Sequence, residues 1–199
     1  MRVATINPLL HVIVKAAARI VLAPFFELHV EGRENVPHGA AFVLLPKHQR
    51  WEDIPLLGLA SRAPLYYVAK SELFTRRLSN WFMTSLGGIP LDRRRPLASR
   101  NRIKAIVGLL KSGRGIVVFP EGTYYRHTMG PGYVGLIRLI HARTEASFIP
   151  VGIRYSPEGI RRTVDIRFGK PIPWEPDEAP QEFLAAAMKE IQEHSGLWR

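Results

Sequence analysis

Short apolar runs alternate with longer stretches of mixed polarity along this 199-residue chain, and that alternation predicts its elements. Residues 40–45, 65–69, 89–91, 115–119, 148–154 and 164–168 read as strands: short, rich in Val, Ile and Leu, and bounded by Gly, Pro or polar residues. A shorter strand is expected at 28–30 and a turn at 35–39. Helices are expected at 72–86, 97–110, 134–142 and 179–194, the second with Ile103, Ile106, Val107 and Leu110 on one face. Another opens near Asp53, where Asp suits an N-cap and Pro55 the first turn. Strands alternating with helices predict a single α/β domain over 28–199, its largely parallel or mixed sheet flanked by helices.

The amino terminus has a different pattern. Residues 9–26 are nearly all apolar, broken by His11, Lys15 and Arg19 at i, i+4 and i+8, one narrow stripe on a helix. A spanning helix needs about 20 apolar residues and tolerates central cations poorly. The expectation for residues 1–27 is an amphipathic helix lying at a membrane interface, Lys15 and Arg19 toward anionic head groups. A core-packed helix with a solvated stripe is the alternative. Lys15 and Arg19 interrupt the apolar region too early for a cleaved signal peptide.

Hydrophobic residues make up 46% of the chain, enough for one full core. There is no cysteine, which excludes disulfides, cysteine-rich zinc sites and a thiol nucleophile. The formal net charge of +11 suits a partner bearing phosphate: nucleic acid, an anionic membrane surface or a phosphorylated substrate.

The candidate chemistry follows two of the strands. His48 and Asp53 come just after 40–45, and Glu121, Gly122 and Thr123 just after 115–119. Ligands of α/β folds bind outside the carboxyl ends of the strands, so the two loops should meet at one sheet edge. A carboxylate can fix the tautomer of a histidine and stabilise its charged form, which equips the pair to take a proton from a hydroxyl. Five residues along a regular helix are about 140° apart, so the pair can meet only if His48 precedes the helix that Asp53 opens. Glu52 reads as solvated. In the second loop, backbone N–H groups and the Thr123 hydroxyl could grip polar oxygens of an acceptor, with Glu121 accepting from a hydroxyl.

His48-x4-Asp53, Gly88-Ile89-Pro90-Leu91-Asp92-Arg93, Phe119-Pro120-Glu121-Gly122-Thr123 and Ile149-Pro150-Val151 together resemble the four ordered blocks of the glycerolipid acyltransferases. The best-known members of that family are the lysophosphatidic acid acyltransferases. The resemblance spans roughly residues 28–170 and implies that His48 is the general base and Asp53 its support. It further implies that Arg93 and the Glu121-Gly122-Thr123 loop hold a phosphorylated acceptor. Two departures bear on that acceptor. Lys47 stands where the family usually has Asn, and Tyr124 where it usually has Arg, so Arg126 is the candidate replacement. The implied reaction moves an acyl group from acyl-CoA or acyl carrier protein to a lysophospholipid, in phospholipid biosynthesis at the cytoplasmic face of a membrane. No metal or other cofactor is expected.

A G-x-S-x-G elbow is absent, as is cysteine, so direct transfer is expected rather than a covalent acyl-enzyme. A nucleic-acid-binding module would leave the His–Asp pair unexplained, and no zinc-finger, RNP-type or P-loop pattern is present.

Overall fold

The computed structural model describes residues 5–92, 99–156, 161–175 and 177–197. Seven strands form one mixed sheet: β1 (Phe26–Glu31), β2 (Phe42–Pro46), β3 (Leu65–Lys70), β4 (Gly88–Leu91), β5 (Gly115–Val117), β6 (Ser147–Ser156) and β7 (Arg162–Phe168). Their order across the sheet is β1-β7-β6-β2-β5-β3-β4, and every pairing is parallel except β6 with β7. The expected α/β architecture is borne out, and the sheet is of the mixed kind.

Alternation along β2 shows why its neighbours bury both faces. Val43 and Leu45 join a core with Ile106, Leu109 and Leu110 of α4 (Arg100–Lys111), Ile137 and Ile140 of α5 (Gly135–His141), and Phe183 and Ile191 of α6 (Pro180–His194). Phe42 and Leu44 face the other way, onto Leu22 of α1 (Pro8–Leu22) and Leu56 and Leu57 of α2 (Asp53–Ala60). A strand covered on both faces reads as a continuous apolar run, which is how β2 appears in the sequence.

Three elements differ from expectation. Residues 72–86 were expected to form one helix, but a 3₁₀ turn at Ser71–Phe74 precedes α3 (Arg77–Ser85). The Thr75 hydroxyl donates to the Glu72 carbonyl, and the Ser79 hydroxyl to that of Leu73, so side chains terminate the first turn. The start expected at residue 97 lies outside the described residues.

Helix α1 stops at Leu22, short of residue 26, because Pro24 cannot continue the ladder and Phe26 already pairs with Arg162 of β7. Its orientation also corrects the expected one. Leu9 and Ile20, 71% and 74% exposed, mark the outward face together with Val12, Ile13 and Val21. His11 and Lys15 are half-buried on the inner side, and only Arg19 of the stripe is exposed. The Lys15 ammonium donates to the Ser61 carbonyl at 2.9 Å, at the cap of α2. A helix carboxyl end carries partial negative charge, which explains why this cation turns inward. No helix among the described residues is long and apolar enough to cross a membrane.

Asp53 is the third difference. The cap position of α2 is Glu52, without a side-chain bond, and Asp53 turns back toward the loop that precedes it.

Candidate active site

Parallel pairing of β2 with β5 and with β6 aligns Leu44 with Val117 and Pro46 with Val151, so the loops after β2 and β5 leave the sheet side by side. His48 sits in the first loop, 8% exposed, with Nδ1 at 3.1 Å from Asp53 Oδ2. The same carboxylate oxygen accepts from the backbone N–H of Gln49 at 2.6 Å and of Arg50 at 2.8 Å. This is how two residues five apart meet: the chain turns around the carboxylate before entering α2. The imidazole stacks on Phe119, centroids 3.8 Å apart, and lies against the tilted ring of Tyr124 at 4.3 Å. No hydrogen bond from a described residue reaches Nε2.

The His48 main chain is held from the β5 side. Its N–H donates to Glu121 Oε2 at 3.0 Å, and its carbonyl accepts from the Tyr125 N–H at 2.9 Å. Glu121 is buried and takes the fully buried Lys47 ammonium at 2.7 Å on each oxygen, with the Gly130 N–H at 2.6 Å on Oε1. Four hydrogen bonds from three chain donors occupy the acceptor capacity of the carboxylate. Glu121, expected to accept from a substrate hydroxyl, here takes these chain donors and struts the two loops together. Lys47 also donates to the Tyr125 carbonyl at 2.8 Å. Burial pushes the Lys47 ammonium below its ordinary range, opposed by the hydrogen bond and charge of Glu121 and the charge of Asp53.

Gly122 adopts φ 67°, a left-handed conformation that suits glycine, and it turns the chain so that Thr123 is exposed beside the histidine. Both line a cavity of about 430 Å³ with His48 and Tyr124. Burial, then the charges of Asp53 and Glu52, push the Tyr124 phenol up, so it stays neutral. The remaining wall is chiefly apolar: Val14 and Ala18 of α1, Ile54 and Leu59 of α2, and Leu73, Met83 and Leu86 around α3. His11, Lys15 and Lys70 also border it. Arg126 is exposed and does not line this cavity. Arg93, with Arg94 and Arg95, lies outside the described residues.

Sequence reasoning missed the roles of Lys47 and Tyr155. Lys47 stood out as a departure from the resembled motif and was read as bearing on the acceptor, whereas its ammonium anchors the glutamate that holds His48. Tyr155 donates its hydroxyl to Asp53 Oδ1 at 2.6 Å, 102 positions away in the chain, and no local signal announces such a contact.

Residues 27–154 match the family model described as Acyltransferase. The chloroplastic 1-acyl-sn-glycerol-3-phosphate acyltransferase of Arabidopsis thaliana is 29% identical over 142 residues, covering 71% of this chain and 40% of the relative. The lyso-ornithine lipid O-acyltransferase of Pseudomonas aeruginosa is 32% identical over 143 residues, covering 72% of this chain and 50% of the relative. The chain thus spans about half the length of these curated relatives. Among solved structures, the crystal structure of the 1-acyl-sn-glycerophosphate acyltransferase from Thermotoga maritima superposes with a TM-score of 0.69 at 22% identity, covering 94% of this chain and 80% of that one. At that identity the likeness speaks for the fold alone.

Proposed function

This chain belongs to the acyltransferase family, and we propose that it moves a fatty acyl group from a thioester to the free hydroxyl of 1-acyl-sn-glycerol-3-phosphate, giving phosphatidic acid. The single observation that carries the reading is the imidazole of His48, backed by Asp53 at 3.1 Å and bordering a largely apolar cavity. An acyl chain suits the apolar wall, and a hydroxyl suits a base with one nitrogen unclaimed among the described residues.

In this reading Nε2 takes the proton of the acceptor hydroxyl as its oxygen attacks the thioester carbonyl. Asp53 stabilises the imidazolium that forms. The tetrahedral intermediate then collapses, the carbon–sulfur bond breaks, and the leaving thiolate recovers the proton from His48. No residue of the chain is acylated. The donor is acyl-CoA or an acyl carrier protein. Arg93 and Arg126 are the candidates for the acceptor phosphate, and Thr123 for its polar oxygens. The outward apolar face of α1 would seat the protein on an anionic membrane, at its cytoplasmic face, where acceptor and product reside.

A second acceptor class is favoured by one observation. Tyr124, a neutral ring, lies against His48 in the cavity wall, and among the described residues Arg126 does not line it. A lysolipid whose head group is not a phosphate, as with the named substrate of the Pseudomonas aeruginosa relative, would suit such a wall. The test supplies acyl-CoA and acyl carrier protein thioesters to the protein with 1-acyl-sn-glycerol-3-phosphate and lyso-ornithine lipid, follows released thiol and identifies the lipid product. Phosphatidic acid as the faster product supports the first reading. Faster acylation of lyso-ornithine lipid moves the acceptor to the second, and no thiol release with any pair overturns both.

A further inference from the structure

Position 155 lies on β6 beyond the point where β2 ends, since Pro46 pairs with Val151 and the β2 chain then leaves as the His48 loop. Alternation along β6 places Tyr155 on the same face as Ile149, Val151 and Ile153, the face against which α2 packs. There its hydroxyl meets the first residue of α2, donating to Asp53 Oδ1 at 2.6 Å. The other oxygen, Oδ2, carries His48 and the two backbone donors.

We propose that Tyr155 is a positioning residue for acyl transfer, holding Asp53 by Oδ1 so that Oδ2 stays directed at His48 Nδ1 and Nε2 stays turned to the cavity. The role rests on the acyl-transfer reading given above. A ring alone would satisfy the packing: Phe26 lies edge-on at 6.2 Å, and the Arg50 guanidinium sits 4.9 Å from the ring centroid. The hydroxyl is what phenylalanine would lack, and it is spent on the carboxylate. Burial, with the charges of Asp53 and Glu52 against that of Arg50, pushes the phenol far above its ordinary range, so it remains a donor wherever the enzyme works.

The bond also sets how strongly the carboxylate supports a protonated imidazole. A carboxylate that accepts from Tyr155 has less charge left for His48, so removing the hydroxyl should favour imidazolium to higher pH. The other charged or titratable groups facing this pair are Lys47 and Arg50 in the loop, Glu52 before α2, Glu121 and Tyr124 after β5, and His11, Lys15, Tyr67 and Lys70 across the cavity. All are unchanged by Tyr155→Phe, which isolates the one bond.

The experiment compares wild type with Tyr155→Phe. The expected result is a fall in kcat of about tenfold, the size of losing one hydrogen bond to a charged group, with both Michaelis constants changed less than about twofold. The acid limb of the kcat/KM profile should move up by about half a pH unit, and ¹⁵N-histidine NMR without substrate should show the same movement in the His48 titration. In an Asp53→Asn background the change should add less than about twofold, because Tyr155 acts through that carboxylate. A 3-fluorotyrosine at position 155 keeps ring and hydroxyl, donates more strongly, and should move the titration down. An unmoved titration in both variants with wild-type kcat in Tyr155→Phe would overturn the proposal, leaving Tyr155 a packing residue. If the wild-type protein transfers no acyl group, the functional reading fails, and the NMR titration still decides the role of the bond.

Discussion

The Lys47 ammonium lies 2.7 Å from both carboxylate oxygens of Glu121, with neither side chain open to solvent. Lys47 immediately precedes His48, and Glu121 accepts from the His48 N–H, so this ion pair fixes the backbone that carries His48. Breaking a buried pair leaves an uncompensated charge, which costs far more than the pair itself contributes.

Lys47→Met and Glu121→Leu should therefore each destabilise the fold by about 3–5 kcal/mol. The double variant should cost less than the sum by roughly 2 kcal/mol, because neither charge is then left alone. It should not reach wild type, since the His48 and Gly130 N–H groups lose their acceptor. Denaturant unfolding of the four proteins measures the coupling. Additive losses would mean that the two side chains act independently.

The inverted orientation of α1 makes a prediction about membranes. Leu9, Ile13 and Ile20 face outward, while Lys15 is tied to Ser61. Replacing the three apolar residues by Ser should weaken binding to anionic vesicles by at least about 100-fold, given 1.5–3 kcal/mol or so for each such side chain buried in lipid. Lys15→Glu should change vesicle binding by less than about threefold and instead impair the cavity wall. Co-sedimentation measures both. Undiminished binding of the triple-Ser protein would place lipid contact elsewhere.

Alkaline stability should depend on Tyr67. Its hydroxyl donates to the Ile54 carbonyl at 3.2 Å, and burial pushes it well above the ordinary value near 10. The folded protein then keeps a proton that the unfolded chain loses above pH ~10, so stability falls as pH rises through that range. Tyr155, also pushed up, contributes in the same direction. Tyr67→Phe should flatten the decline by up to about 1.4 kcal/mol per pH unit, one proton's worth. Equal slopes for wild type and variant between pH 9.5 and 11 would contradict the assignment.

What the sequence disclosed follows from what is local. Strands covered on both faces are short apolar runs, so β2, β5 and β6 were readable, and with them the sheet edge where His48 and Asp53 meet. The period of His11, Lys15 and Arg19 correctly placed a helix. Its orientation was not readable, because which face turns inward depends on a carbonyl at the end of α2. Glu121 was assigned to a ligand because its partners, Lys47, His48 and Gly130, are gathered only when two loops fold together. Tyr155 reaches Asp53 across 102 positions, a contact set by strand order rather than by spacing.

His48 carries the central claim. The decisive measurement is the kcat for acyl transfer from a thioester to a lysolipid hydroxyl in wild type and His48→Ala, with folding checked by thermal unfolding of both. A general base contributes about 10²–10⁴-fold, so His48→Ala should lose at least about 100-fold in kcat while its fold persists. A folded His48→Ala protein that transfers the acyl group at close to the wild-type rate would contradict the account.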